Sequence, residues 1–359
     1  MPENRKVLFL VPYPLQVAPS QRFRVESFLP ELTKVGIEYS IEPFMDIGTW
    51  EFLYKKGYFF LKAWGLCKGF IKRWWTIFFK VPFYNYIFIH REAAPVGPPV
   101  FEWMIAKFFK KKIIYDFDDA IWIPNTSSAN SFINWVKAFW KVKYICKWAY
   151  KLTPGNDYLC QYAGSFNQNV IKIPTTIDIH KNENEIKQHH DGKLSVGWTG
   201  SHSTLKYLDQ LIPVINELQE EIDFTFLVIA DKKPLLNLKD WQFIPWNILT
   251  EADDLLKLDI GVMPLITDAW SEGKCGFKLI QYFAHGIPAV ASAVGVNKII
   301  IEENVNGFLC HAGYEWKLSL QKLLIDKSLR QQMGIAGRRK VIDQYSVQSQ
   351  SVKFVQLLT

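Results

Sequence analysis

The sequence predicts an α/β protein built from two β/α/β halves in tandem, and three observations carry this. Apolar runs of strand length alternate with segments of helical spacing. The alternation restarts after the polar stretch 179–192. Several apolar runs end in polar or charged residues, as the carboxyl ends of strands in open parallel sheets do when they carry function. In order, "KVLFLVPYP" reads as a buried strand ending at Pro12. "SQRFRVESFLPELTKVG" has helical spacing, with Ser20 as N-cap and Gly36 as stop. "IEYSIEPF" is a second strand, "YIFIH" and "KKIIYDFDD" are two more, and "KLTPG" and "VIKIPTTID" complete the half. "IHKNENEIKQHHDG" has no period and is the expected linker. The second half reads "LSVGWTGS" strand, "STLKYLDQLIPVINELQEEI" helix, "FTFLVIAD" strand, "DIGVMPL" strand, and "AVASAVG" after the segment discussed below.

The length of 359 residues suits two domains, and 49% hydrophobic residues suffice for two cores. The net charge of +7 points to an acidic partner: phosphates, nucleic acid or anionic lipid. Five cysteines (Cys67, Cys146, Cys160, Cys275, Cys310) form no CxxC pair and read as reduced thiols of a cytoplasmic protein. "MPENRKVLFLVPYP" reads as a charged start and a strand rather than a secretory signal. No run of about 18 uncharged apolar residues predicts a membrane span.

The stretch "WSEGKCGFKLIQYFAHGIPAVASAVG", Trp270 to Gly295, combines a glycine-rich loop, a helix and a buried strand. Lys278 to His285 reads as a short helix, stopped by Gly286 and Pro288. A helix beginning early enough would bring Lys274, Lys278, Gln281 and His285 to one face. Backbone N–H groups, the positive helix end and two lysines suit a diphosphate. The plainer alternative is a solvated basic face on a core helix.

This segment, from "LDIGVMPLITDAWSEGKCGFKLIQYFAHGIPAVASAVG" to "VNKIIIEENVNGFL", resembles the donor half of glycosyltransferase family 4, the retaining GT-B enzymes also called glycosyl transferases group 1. "VGWTGSHSTLKYL" resembles the first strand-loop-helix of that half. "LFLVPYPLQVAPSQRFRVESFLPEL" and "IFIHREAAPVGPPVFEWMIAKFFKKKIIYDFDDAIW" resemble the acceptor half of a bacterial subgroup. The resemblance implies two Rossmann-like domains facing across a cleft. They are an acceptor domain at 1–185, with a C-terminal helix at about 346–359 packing back on it, and a nucleotide-sugar domain at 190–345. By position, Gln281 stands where the family has the glutamate that holds the donor ribose. The family's first acidic position falls on Gly273, with Glu272 one residue early as its catalytic substitute. Lys274, Gly276 and Lys278 would face the diphosphate, and Gly200 and Ser201 would let backbone approach it. The implied donor is UDP- or GDP-linked, with no metal and no other cofactor.

"YDFDDAIW" also spells Asp-x-Asp at Asp116 and Asp118, a metal-binding pattern in the other main glycosyltransferase fold. The two β/α halves and the absence of nearby His or Cys favour a cleft-side role instead. Asp118 or Asp119 would bind a sugar hydroxyl or orient the acceptor, Asp119 having N-capping as its alternative. His90, ending "YIFIH", is a further catalytic candidate, and Glu92 a lesser one. Arg22 and Arg24 would reach phosphate, with surface helix charges as the alternative. His202 is either a phosphate contact or loop surface.

From residue 52 to residue 91 the chain contains no Asp or Glu, and mixes Lys and Arg with Trp, Phe and Tyr. That composition suits the lipid headgroup region, with single-stranded nucleic acid as the alternative. No nucleic-acid motif is visible, so an anionic membrane surface and a glycan or lipid-linked acceptor are the expected partners. The expected function is retaining sugar transfer on the cytoplasmic face of the membrane, in bacterial surface polysaccharide synthesis. The alternative, resting on the displaced acidic position, is a non-catalytic membrane-associated sugar-nucleotide binding module.

Overall fold

The computed structural model describes residues 5–53, 55, 57–124, 136–180 and 186–358. The chain divides into two compact units, one reaching to Thr175 and resuming at Gln350, the other Thr176–Ser349.

The first unit is built on a five-stranded parallel sheet. Its strands are β1 (Lys6–Val11), β2 (Glu38–Pro43), β3 (Tyr86–His90), β4 (Lys112–Phe117) and β5 (Lys151–Pro154), in the order β2-β1-β3-β4-β5. Strands β1, β3 and β4 are buried on both faces because helices cover both sides of such a sheet. The helical run after β1 is broken into α1 (Pro19–Arg24), a 3-10 turn at Glu26–Phe28, and α2 (Leu29–Lys34). Ser20 is not the cap. Pro19, pre-set for a first helical turn, starts the helix from Ala18 and frees the Ser20 hydroxyl for another use. Gly36 ends the run at φ +73 as expected. The segment "VIKIPTTID" adds no strand to the sheet. It makes only the isolated bridges Leu152↔Val170 and Ile177↔Ser346, the second on residues of the other unit. At the chain's end, Phe354 stacks on Phe28 at 4.2 Å and lies 5.6 Å from Phe88, which seats the last helical turns in this unit.

Between β2 and β3 run α3 (Ile47–Leu53) and α4 (Phe59–Phe79). The buried stripe of α4 is Gly65, Gly69, Arg73, Thr76 and Ile77, spaced three and four apart. A Cβ on Gly69 would meet the Phe44 ring, so the small residues permit the close approach. Arg73 is buried and donates to the carbonyls of Ala93 at 2.8 Å, Glu42 at 3.1 Å and Val11 at 3.2 Å.

The second unit holds a six-stranded parallel sheet of β6 (Leu194–Gly200), β7 (Phe224–Ala230), β8 (Trp241–Pro245), β9 (Ile260–Met263), β10 (Ala289–Ser292) and β11 (Gly307–Cys310). Its order is β11-β10-β9-β6-β7-β8. Trp198, Phe224, Phe226, Val262, Val290 and Leu320 share its core. The run after β6 is 3-10 over His202–Gln210 and becomes α-helix at Ile212–Glu221, where Pro213 sits in the first turn. The expected linker is partly structural, although residues 181–185 lie outside the described residues. Lys187 donates its backbone N–H to His285 at 2.8 Å and pairs with Asp259 at 2.9 Å, and Arg330 binds the His190 carbonyl at 2.7 Å. These bonds assign 186–190 to the second unit, which begins at Thr176. The five cysteines are free, and no described helix is long and apolar enough to cross a membrane.

Candidate functional site

Each unit gathers polar residues at the carboxyl ends of its strands. In the second unit the chain runs β6, β7, β8 and then returns to β9 on the other side of β6. In open parallel sheets ligands bind outside the carboxyl ends where the strand order reverses, which here falls between β6 and β9. Gly200 ends β6 there. The loop after β9 passes through the short helix Ala269–Glu272 to the helix Phe277–Ala284. Gly276 caps that helix at φ +67, and a Cβ would strike Ile300, so conformation and packing both require glycine. It contributes no capping side chain at the positive helix end.

Lys278 reaches from this helix across the end of β6. A Cβ on Gly200 would lie 2.9 Å from Lys278 Cε, and Lys278 Nζ sits 5.3 Å from the centre of the Trp198 ring. Ser201 is exposed, its hydroxyl 2.8 Å from that of Ser203. His202 engages Asp231 through its backbone N–H and Nδ1, both at 2.6 Å, which closes the ends of β6 and β7.

The single face expected for Lys274, Lys278, Gln281 and His285 does not form. The helix begins at Phe277, leaving Lys274 in the preceding loop, 5.3 Å over the Trp270 ring. His285 is the buried C-cap residue. Gln281 is buried, its amide donating to Glu251 Oε1 at 3.3 Å, which also accepts from Trp246 Nε1 at 3.1 Å. Glu272 is half-buried at the end of its helix, backed by Gly295 at φ +53, whose Cβ would lie 3.2 Å from Glu272 Cα.

In the first unit, parallel register sets His90 opposite Asp116. His90 is fully buried, with Nδ1 2.7 Å from Asp116 and Nε2 2.9 Å from the Ser20 hydroxyl. Both of its ring nitrogens are therefore engaged within the protein, and Ser20 is its partner on the α1 side. Arg24 is neither a phosphate ligand nor a surface charge. Its face of α1 points into the sheet, where it pairs with Asp116 and donates to the carbonyls of Thr153 and Ile173. Burial pushes the Asp116 carboxyl up, but Arg24 and the His90 bond outweigh it and hold the group below its ordinary range. Thr153 also donates to Asp116 at 2.8 Å, so this carboxylate is committed within the protein rather than sharing a ligand with Asp118. Among the described residues, no three His, Cys, Asp or Glu side chains converge as a metal site.

Asp118 and Asp119 pair with Arg91, and Glu92 pairs with Lys141 at 2.7 Å. Asp119 caps no helix within the described residues, 121–124 being a turn and irregular backbone. Arg22 is half-buried, its guanidinium 4.7 Å over the Phe23 ring. Arg91 is not among the candidates named from the sequence. The available signal was the pairing of two strands that both end in charges, "YIFIHR" and "YDFDD", which parallel neighbours bring side by side.

Residues 180–340 match the family model of glycosyl transferases group 1. This stretch is a group 1 glycosyl transferase domain. It contains every donor-side residue named above, from Gly200 to Gln281. No curated protein matches the chain. Among solved structures, the sucrose-phosphate synthase of Thermosynechococcus elongatus is similar at TM-score 0.71 and 12% identity, covering 98% of each chain. HepE of Anabaena, solved with UDP, gives 0.68 and 13%, covering 98% of this chain and 99% of that one. A glycosyltransferase of Rickettsia africae gives 0.65 and 14%, covering 99% and 98%. The group 1 domain and the preceding unit are both Rossmann-like, and the fold is GT-B.

Proposed function

We propose that this protein is a retaining family 4 glycosyltransferase that moves a sugar, hexosyl or related, from a UDP- or GDP-linked donor to a glycan or lipid-linked acceptor. The group 1 domain binds the donor and the first unit handles the acceptor. The observation that carries the reading is the Gly200–Lys278–Gly276 arrangement: a strand end with no side chain, crossed by a lysine, beside a helix start whose cap is a glycine. Departure of a nucleoside diphosphate needs stabilised negative charge, and Lys278, Lys274 and the helix end supply it without a metal. The complexes of HepE with UDP and with UDP-glucose lend support from a protein of the same fold.

The first unit works at an anionic membrane, on the cytoplasmic face, and bacterial surface polysaccharide synthesis is the fitting context. Support comes from α4, which exposes Phe60, Trp64, Ile71 and Trp75 among lysines. The test is nucleoside diphosphate release from a panel of UDP- and GDP-sugars, with and without EDTA, and NMR of the product anomer. Release that survives chelation, with the donor's anomeric configuration kept, is expected. Inversion, or loss on chelation rescued by manganese, would overturn the mechanism, and binding without release would leave a sugar-nucleotide binding module.

A further inference from the structure

Arg91 has left-handed backbone at φ +60, a conformation that costs a non-glycine residue energy and that neighbours must hold. Its N–H donates to the Asp116 carbonyl at 2.7 Å, and the Tyr115 hydroxyl donates to the Arg91 carbonyl at 2.8 Å. The guanidinium so placed meets Asp118 through Nε at 2.9 Å and Nη2 at 2.7 Å, and reaches Asp119 with Nη2. A planar fork across two neighbouring carboxylates fixes their directions, which a lysine ammonium does not. Asp118 is also faced by Ser20 and Arg24 of α1 and by His90 of β3, and Arg91 by Tyr13 of the loop after β1. Burial pushes the Asp118 carboxyl up, but Arg91 first, then His90 and Arg24, hold it well below the usual carboxylate range.

We propose that Arg91 is a positioning residue, which orients Asp118 and keeps it a carboxylate so that it accepts a hydrogen bond from a hydroxyl of the substrate handled by the first unit. This rests on the glycosyltransferase reading. An ionised carboxylate only accepts, so the site selects a hydroxyl donor at that point.

The test compares wild type with Arg91→Gln, Arg91→Lys and Asp118→Asn, by transfer rate from about pH 5 to 8 and by 13C NMR of the aspartate carboxyls. The Asp118→Asn spectrum identifies the Asp118 signal. In Arg91→Gln, kcat/KM is expected to fall tenfold or more and to fall further as pH drops, while the Asp118 signal titrates at higher pH than in wild type. Arg91→Lys, which keeps the charge but not the fork, should hold the Asp118 titration low and recover only part of the rate. A pH-independent loss in Arg91→Gln, with unmoved Asp118 titration, overturns the proposal and makes Arg91 a loop anchor. The two readouts separate the claims. Wild type that transfers no sugar while the signal moves refutes the glycosyltransferase reading, whereas normal transfer with an unmoved signal refutes the role of Arg91.

Discussion

Gly200 and Lys278 act as a pair, since the absent side chain of one makes room for the other. Lys278→Ala should weaken nucleotide-sugar binding by about 1.5–3 kcal/mol, the worth of a charge-assisted contact, with the melting temperature kept. Gly200→Ala should also weaken it, because the new Cβ would lie 2.5 Å from the Trp198 ring and 2.9 Å from Lys278 Cε and would move both; unchanged donor affinity in that variant would refute the arrangement. Arg24→Ala belongs to a different class. It leaves Asp116 buried without its cation, so a loss of about 3–5 kcal/mol in urea unfolding is expected. The Asp116 carboxyl is depressed in the fold, so its contribution is complete above the ordinary aspartate range of about 4 and is lost as pH falls through the folded value. Acid unfolding of Arg24→Ala should accordingly begin at higher pH than in wild type. Lys278 and Gly276 were legible in the sequence because glycine and lysine at a helix start carry local meaning. Arg24 and His90 were not, because burial depends on which face of α1 and which strand neighbours they meet.

At the scale of elements, α4 joins two kinds of surface. Its glycine stripe and Arg73 face the sheet, while Trp64, Ile71 and Trp75 surround Lys68 and Lys72 on the outer side as a shallow groove. Lys68 is tied to Asp46, whose carboxyl that bond holds down to about 2, and Lys72 to Glu42 at 3.5 Å. The acid-free sequence therefore borrows acids from β2 and the turn before α3, and the helix is less bare of negative charge than its composition implied. Arg73, one of the basic residues of the acid-free span, is buried and would fail as a surface variant. Binding to phosphatidylglycerol vesicles should fall with salt, and replacing Trp64, Ile71 and Trp75 by Ser should weaken what persists at high salt without lowering the melting temperature. Sedimentation that finds no binding at low salt would make this face a contact of another kind. The basic, aromatic character of the span was legible from composition; the helix and its orientation were not, because glycine, small enough to permit close packing, marks the buried side that aromatic residues would ordinarily be expected to mark.

For the whole molecule, the tandem β/α/β reading and the order of motifs agree with two parallel sheets and the GT-B fold. The boundary was less legible, since the polar run after Ile179 looks like solvent-exposed linker, yet its Lys187 is drawn in by the buried Asp259 carboxylate of the second unit. On the proposed function, the second unit holds a nucleotide-sugar diphosphate at the β6 end through Lys278. Titration calorimetry of UDP- and GDP-sugars into wild type and Lys278→Ala tests it most directly. Saturable binding of at least one donor by wild type, and at least tenfold weaker binding by a folded Lys278→Ala, are expected. Equal affinity of the two proteins, or no binding of any donor by folded wild type, would contradict it.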